Sequence, residues 1–164
     1  MGKVIVPPIK SQGIKTKLVP WINDLILQSG IDLGNATWIE PFFGTGVVGL
    51  NAPIKGNHIV GDTNPHLINL YNGIKDGSIT QFNMRAYLEH ESKILESADE
   101  NGYTYYREVK NRFNREHSPF DFIFLSRAGF NGMMRFNKKG EWNIPFCQKP
   151  NRFAPAYVSK ICNQ

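Results

Sequence analysis

The sequence predicts an α/β fold: a strand–glycine loop–strand unit over residues 1–77, then a helical region, 78–164, that carries a β-hairpin. Three observations predict it. "ATWIE" and "HIVGD" are short strand-like runs, with the glycine-rich "FFGTGVVGLN" between them. Beyond residue 78 that rhythm stops, and amphipathic patterns of helical period take over. Near the end, "MMRFNKKGEWNIPF" alternates around the turn signal "NKKG".

Each element has a local cause. "VIVPPIKSQGIKTK" is irregular, punctuated by Pro and Gly. "KLVPWINDLILQSG" spaces Leu18, Trp21, Ile22, Leu25 and Ile26 as a helix does, with Pro20 tolerated in the first turn and Gly30 as the stop. "ATWIE" is a strand ended by Pro41, and "VVGLNAP" is a short helical turn closed by Pro53. "HIVGD" is a second strand with an acid at its end. "NPHLINLYNGIKDG" is a helix capped by Asn64 and opened by Pro65. "ITQFNMRAYLEHESKILESADEN" and "GYTYYREVKNRFNREH" form polar amphipathic helices, and "SPFDFIFLSRAGFNG" a well-buried one. The closing "YVSKICNQ" reads as a helix still in progress.

Composition bounds the rest. The 164 residues suffice for one domain or parts of two, and 41% hydrophobic with 20% charged residues is ordinary for a globular chain. No apolar run approaches the roughly 20 residues of a membrane span. "MGKVIVPPIKSQ" has no secretory signal pattern, and Val6 stands where a myristoylation motif wants Ser or Thr. Cys147 and Cys162 form no metal-type pair and read as reduced thiols of a cytoplasmic protein. The net charge of +5 is uneven: residues 103–164 hold eleven Lys/Arg and four Asp/Glu, a net of +7, whereas residues 1–102 are net −2. That surplus fits a polyanion, nucleic acid first, and equally a solvated basic face.

Gly44-x-Gly46-x-x-Gly49 has the spacing of a dinucleotide fingerprint, and Asp62 lies eighteen residues beyond Gly44, where an acid binds ribose hydroxyls. A pyrophosphate rests on the N-terminus of a long helix. Here Pro53 leaves room for about two turns, and Glu40-Pro41-Phe42-Phe43 puts a rigid apolar step before the glycines. S-adenosylmethionine therefore fits best, ahead of NAD or FAD and of a purely structural turn. In the basic third, cations, amides and aromatics interleave: Arg and Lys neutralise phosphates, Arg reads guanine, Asn pairs with adenine, and a two-stranded ribbon fits the major groove. Asn137 and Gly140 also suit the turn itself, Asn131-Gly132 a helix stop, and Phe130, Phe136, Trp142 and Phe146 a hairpin core more than base-stacking groups.

Together, "VPPIKSQGIKTK", "EPFFGTGVVGLN", "DTNPHLINLYN" and "FNGMMRFNKKGEWNIPF" resemble the Dam-type (D12 class) DNA adenine-N6 methyltransferases, and among them the EcoRV-type modification enzymes, which protect GATATC. The resemblance implies a Rossmann-like S-adenosylmethionine-dependent methyltransferase unit, incomplete here, with a helical target-recognition insert carrying the hairpin. It implies that Lys15 reaches the cofactor's carboxylate end, that Glu40, Pro41, Phe42, Phe43, Gly44, Thr45 and Gly46 form the cofactor loop, and that Asp62 holds the ribose. It puts Arg127, Asn131, Arg135, Asn137 and Asn143 at DNA-facing or hairpin-shaping positions, with Lys138, Lys139, Lys149 and Arg152 as phosphate contacts. The family's upstream K-W-x-G-G-K pattern is altered here, with Ser11 and Ile14 in "KSQGIK".

The resembled family also needs an [Asp/Asn]-Pro-Pro-[Tyr/Phe] tetrapeptide, which takes up the adenine turned out of the duplex. This sequence has none; its Pro7-Pro8 is flanked by Val6 and Ile9. The expectation is an N-terminal portion, inactive alone, whose partners are double-stranded DNA and a C-terminal half carrying the catalytic motif.

Overall fold

The computed structural model describes residues 3–164. The chain divides into two compact units, one of residues up to Pro7 with Gly13–Ile68, the other of Pro8–Gln12 with Asn69–Gln164.

In the first unit, α1 spans Val19–Gln28, with Pro20 in its opening turn and Gly30 beyond its end in the left-handed region. The strands β1, Trp38–Glu40, and β2, His58–Val60, pair in parallel with Ile39 opposite Ile59. Parallel strands are ordinarily covered on both faces. Here Ile39 is 66% and Ile59 59% exposed, so one face of the pair lies open. The apolar stripe of α1 is also exposed at Leu18, Trp21 and Leu25, while Val19 is the helix's buried residue.

Helix α2, Pro65–Asp76, begins as its sequence asks: Asn64 Oδ1 accepts the His66 backbone N–H at 3.1 Å. The division between the units falls within this helix.

The second unit contains α3 (Gln81–Ser97), α4 (Tyr103–Glu116), α5 (Pro119–Ala128) and α6 (Pro155–Cys162). A reciprocal cap starts α3: Thr80 Oγ1 accepts from the Asn83 N–H at 3.2 Å, and Asn83 Oδ1 from the Thr80 N–H at 2.8 Å. In α5 the run Phe122–Ser126 is wholly buried, which is why its sequence is apolar on all sides. Phe113 stacks on Phe122 at 5.8 Å, and Phe124 on Phe153 at 4.8 Å. The "NKKG" segment folds back on itself, but as a ribbon held by two isolated antiparallel bridges, Phe136–Trp142 and Gly129–Phe146. No helix among the described residues is long and apolar enough to cross a membrane.

One ionic knot joins α3, α4 and α5. Arg112 Nε donates to Asp121 Oδ2 at 2.9 Å, and its Nη2 donates to Asp121 Oδ1 at 2.6 Å and Glu91 Oε2 at 3.0 Å. Tyr87 also donates to Asp121, and Tyr105 to Glu91 at 2.9 Å. Burial and the Glu91 carboxylate push the Tyr105 hydroxyl up to about 12, so it stays a donor at neutral pH. Both carboxylates are buried, and removing their cation strands them. Arg112→Ala is expected to cost about 2–4 kcal/mol, short of the roughly 3–5 kcal/mol of a fully buried pair, because 34% of the Arg112 side chain meets solvent. Arg112→Lys keeps the charge and loses the fork, so it falls between. Hydrogen exchange of α3–α5 amides reads the effect; unchanged protection in Arg112→Ala contradicts it.

Candidate functional site

The glycine loop is tied to the end of β2 by backbone and side chain together. Gly61 N–H donates to the Glu40 carbonyl at 3.0 Å, and Phe43 N–H to the Gly61 carbonyl at 2.8 Å. Gly44 and Gly46 both have positive φ, the conformation glycine adopts without strain, and Gly46 N–H closes the turn onto the Phe43 carbonyl at 2.9 Å. The third glycine has a different reason. A Cβ on Gly49 would lie 2.6 Å from Glu40 Oε2 and 3.0 Å from Phe43 Cε2. Glu40 itself accepts from Trp38 Nε1 at 3.0 Å.

Asp62 spans the gap between strand and loop. Its Oδ2 accepts the Gly44 N–H at 2.7 Å and its Oδ1 the Asn64 N–H at 2.8 Å. Each oxygen keeps further lone-pair capacity for a hydroxyl. Beside these acids, Phe43 and Thr45 are buried, while Phe42 is 81% exposed, an apolar plate facing solvent. Only a single 3₁₀ turn, Gly49–Asn51, follows the loop. The residues present fit a nucleoside-type ligand: two carboxylates for hydroxyls or an amine, one aromatic face, and no long helix for a pyrophosphate.

Direct bonds thus link Glu40 and Phe43 through Gly61, Gly46 to Phe43, and Gly44 to Asp62; Pro41, Phe42 and Thr45 belong to the same turn. Lys15 is exposed in the segment entering α1, where its carbonyl accepts the Leu18 N–H at 2.8 Å. Among the described residues no carboxylate is within ion-pair distance of it, and no group of His, Cys, Asp or Glu is placed to hold a metal ion.

The helical unit gathers a second set of groups. Arg127, at the end of α5, donates through Nε to the Pro8 carbonyl at 2.7 Å and through Nη2 to Gln164 Oε1 at 2.9 Å. Burial, with Arg152 adding to it, brings Arg127 down to about 10, still charged at neutral pH. Burial and then Arg152, with smaller contributions from Arg127 and Lys149, lower the Lys10 ammonium as well, the Cys147 thiol acting the other way. No carboxylate among the described residues pairs with any of these four cations. Arg152 Nε is buried without a hydrogen-bond partner. Such a cluster is short of negative charge, the complement of what a polyanion carries.

Lys10 was invisible to sequence reasoning as a member of this set. It precedes Arg127 by more than a hundred residues, and the fold draws Pro8–Gln12 into the helical unit. Its stem lies against Gly132, where a Cβ would be 2.8 Å from Lys10 Cγ. Next to it Asn131 takes a left-handed φ in the turn after α5.

In the ribbon, Asn137 is consumed by the turn. Its Oδ1 accepts the Lys139 and Glu141 N–H groups at 2.9 and 3.0 Å, and its Nδ2 donates to Glu141 Oε2 at 2.7 Å. Lys138 and Lys139 stand exposed at the tip. Arg135 and Asn143 face each other on the exposed side, with Arg135 Nε donating to Asn143 Oδ1 at 3.0 Å. Trp142, Ile144 and Phe146 point inward and are buried, whereas Phe130, expected in the hairpin core, is 47% exposed because it sits in the turn after α5. The inner strand is clamped to α4: Asn114 Oδ1 accepts the Trp142 N–H at 2.7 Å, and Tyr106 donates to the Ile144 carbonyl at 2.8 Å.

Comparison with known proteins gives the family of the chain. A family model described as D12 class N6 adenine-specific DNA methyltransferase matches residues 11–161. A DNA adenine methylase of Haemophilus influenzae is 38% identical over 121 residues, 71% of this chain and 40% of that protein. One of Vibrio cholerae is 36% identical over 112 residues, covering 66% and 38%; that of Escherichia coli K12 is 31% identical over 121 residues, covering 71% and 41%. The chain therefore spans about two fifths of the length of the curated relatives it matches.

Proposed function

The chain belongs to the D12 class N6 adenine-specific DNA methyltransferases, and from that membership we propose that it supplies the cofactor-binding and target-recognition portion of a site-specific enzyme. That enzyme moves a methyl group from S-adenosylmethionine to adenine N6 in duplex DNA. The cofactor part lies within residues 1–77 and the recognition part within residues 78–164, to which the helical unit adds Pro8–Gln12. The observation that carries the cofactor assignment is the loop held by Asp62 and followed by one 3₁₀ turn, which suits a nucleoside ligand without a pyrophosphate.

In this reading Asp62 and Glu40 hold the hydroxyl and polar groups, Phe42 flanks the adenine ring, and Lys15 pairs with the carboxylate. Bound there, the cofactor supplies an electrophilic methyl group. Arg127, Lys149, Arg152, Lys138 and Lys139, joined by Lys10, neutralise phosphates. Arg135, Asn131 and Asn143 face the duplex, and Asn137 shapes the turn that presents them. A GATATC site within a restriction–modification system, in the cytoplasm where the DNA is, is the finer form of the proposal.

The groups that accept the hydrogens of the adenine amine are not among these residues, because no [Asp/Asn]-Pro-Pro-[Tyr/Phe] tetrapeptide occurs. Turnover is accordingly assigned to this chain together with a C-terminal segment that carries one. The open Ile39–Ile59 face is consistent with a further polypeptide layer on that sheet.

Calorimetry and a radiolabelled methyl-transfer assay test the reading. The chain is expected to bind S-adenosylmethionine and not NAD. It is expected to bind duplex DNA with an affinity falling steeply with salt, and to methylate a GATATC duplex only when the complementary segment is supplied. NAD binding in place of S-adenosylmethionine ends the cofactor assignment; robust methylation by the chain alone ends the division of labour.

A further inference from the structure

We infer that Asn143 is a positioning residue: it acts on sequence preference by holding Arg135 in a fixed, outward-facing pose, and not by reading a base itself. The inference rests on the proposal that the ribbon faces duplex DNA.

A guanidinium has one Nε–H and four Nη–H donors in a plane. In Arg135 the Nε–H is spent on Asn143 Oδ1 at 3.0 Å. The two Nη groups remain, and they are the pair that can grip two acceptors on one base edge, as on the O6 and N7 of guanine. Asn143 is itself anchored through its backbone, donating its N–H to the Arg135 carbonyl at 3.2 Å. Its neighbour Trp142 is clamped at both backbone atoms, the N–H to Asn114 Oδ1 at 2.7 Å and the carbonyl from Asn114 Nδ2 at 3.3 Å. Tyr106 holds the next residue, Ile144, through its carbonyl at 2.8 Å. A chain of contacts from α4 thus reaches an exposed side chain and restrains it before any ligand arrives.

The assignment of the amide is forced by chemistry. Arg Nε can only donate, so the oxygen of Asn143 must face it. That spends one of the two lone pairs of Asn143 Oδ1 on Arg135, so bidentate pairing to adenine, which uses the oxygen and the nitrogen together, competes with the bond that orients Arg135. Asn137 is excluded from base reading, because the turn takes both lone pairs of its oxygen and a hydrogen of its nitrogen. Arg135 is therefore the group on this face best prepared to read a base, and Asn143 removes part of the ordering cost that a long flexible side chain otherwise meets on binding.

Selection from a duplex library with randomised central positions, with the full chain, first defines the wild-type preference. Arg135→Ala is expected to lose that preference at one G·C pair. Asn143→Ala is expected to weaken it at the same pair by roughly three- to tenfold, the scale of ordering one long side chain, read as the ratio of preferred to non-preferred binding. In the Arg135→Ala background, Asn143→Ala is expected to add nothing. Asn143→Asp retains the acceptor, so the preference survives while overall affinity falls through repulsion of phosphates. Unaltered thermal unfolding of these exposed-site variants shows that the fold is intact. Loss of preference at an A·T pair in Asn143→Ala, or additive effects in the double variant, overturns the positioning role and leaves the proposed function standing. A wild-type chain that binds DNA with no sequence preference overturns both the role and the reading of the ribbon.

Discussion

Trp142→Ala is expected to destabilise the helical unit by about 3–5 kcal/mol, the usual cost of emptying a buried aromatic site. Trp142 is 1% exposed and is the point where ribbon and helices meet. Three rings meet it edge to face: Phe136 at 5.6 Å, Phe122 at 6.1 Å and Phe113 at 6.3 Å. Its Nε1 donates to the Tyr106 hydroxyl at 3.1 Å, and that hydroxyl donates onward to the Ile144 carbonyl. Truncation removes the volume and also one hydrogen bond of a buried hydroxyl. The bonds from Asn114 go to the Trp142 backbone and survive, so the ribbon should loosen rather than detach. Trp142→Phe refills most of the space and is expected to cost far less, with about 1 kcal/mol from the lost Nε1 bond. Urea unfolding followed by hydrogen exchange over residues 134–146 measures both. Equal stability of the Ala and Phe variants would show that Trp142 is not the packing centre described here.

Asp62→Ala is expected to reduce S-adenosylmethionine affinity a hundredfold or more, about 3 kcal/mol, through two losses that act together. The first is direct, because the acid that would hold ribose hydroxyls disappears. The second is structural. Gly44 N–H and Asn64 N–H lose their acceptors, and the loop is released from the end of β2. Asp62 is half-buried, so the stability cost should stay near the lower end of the roughly 1–3 kcal/mol for an unsatisfied group. Asn at this position does not rescue. Its oxygen can accept one N–H, while its amide nitrogen turns a donor toward the other. Titration calorimetry with S-adenosylmethionine, beside a thermal melt, separates the effects. Wild-type affinity in Asp62→Ala would remove Asp62 from the site.

Much of the local structure was legible in the sequence, for reasons that are themselves local. Pro41 and Pro53 limit what their neighbours can form, and Asn64-Pro65 is a helix start by its own hydrogen bonding. The apolar run Phe122–Leu125 has no polar side to expose, so α5 had to be buried. Other features had no local sign. The period of Leu18, Trp21 and Leu25 shows that they share a face, but not that the face is open to solvent. The hairpin alternation was readable, yet the pairing consists of isolated bridges, and α4 side chains hold the outward-facing backbone groups of Trp142 and Ile144.

The glycine spacing, the acid after it and the basic last third were legible as the expectation of a nucleoside cofactor and a polyanion, because each is a matter of residue type and separation along the chain. The fold alone decided which groups meet. It brought the Asp62 carboxylate onto the Gly44 N–H, turned Arg112 onto two buried acids, drew Lys10 into the cluster with Arg127 and Arg152, and set Asn143 against Arg135. Hydrogen bonds and charge pairs act over a few ångströms of space, and sequence separation does not record that distance.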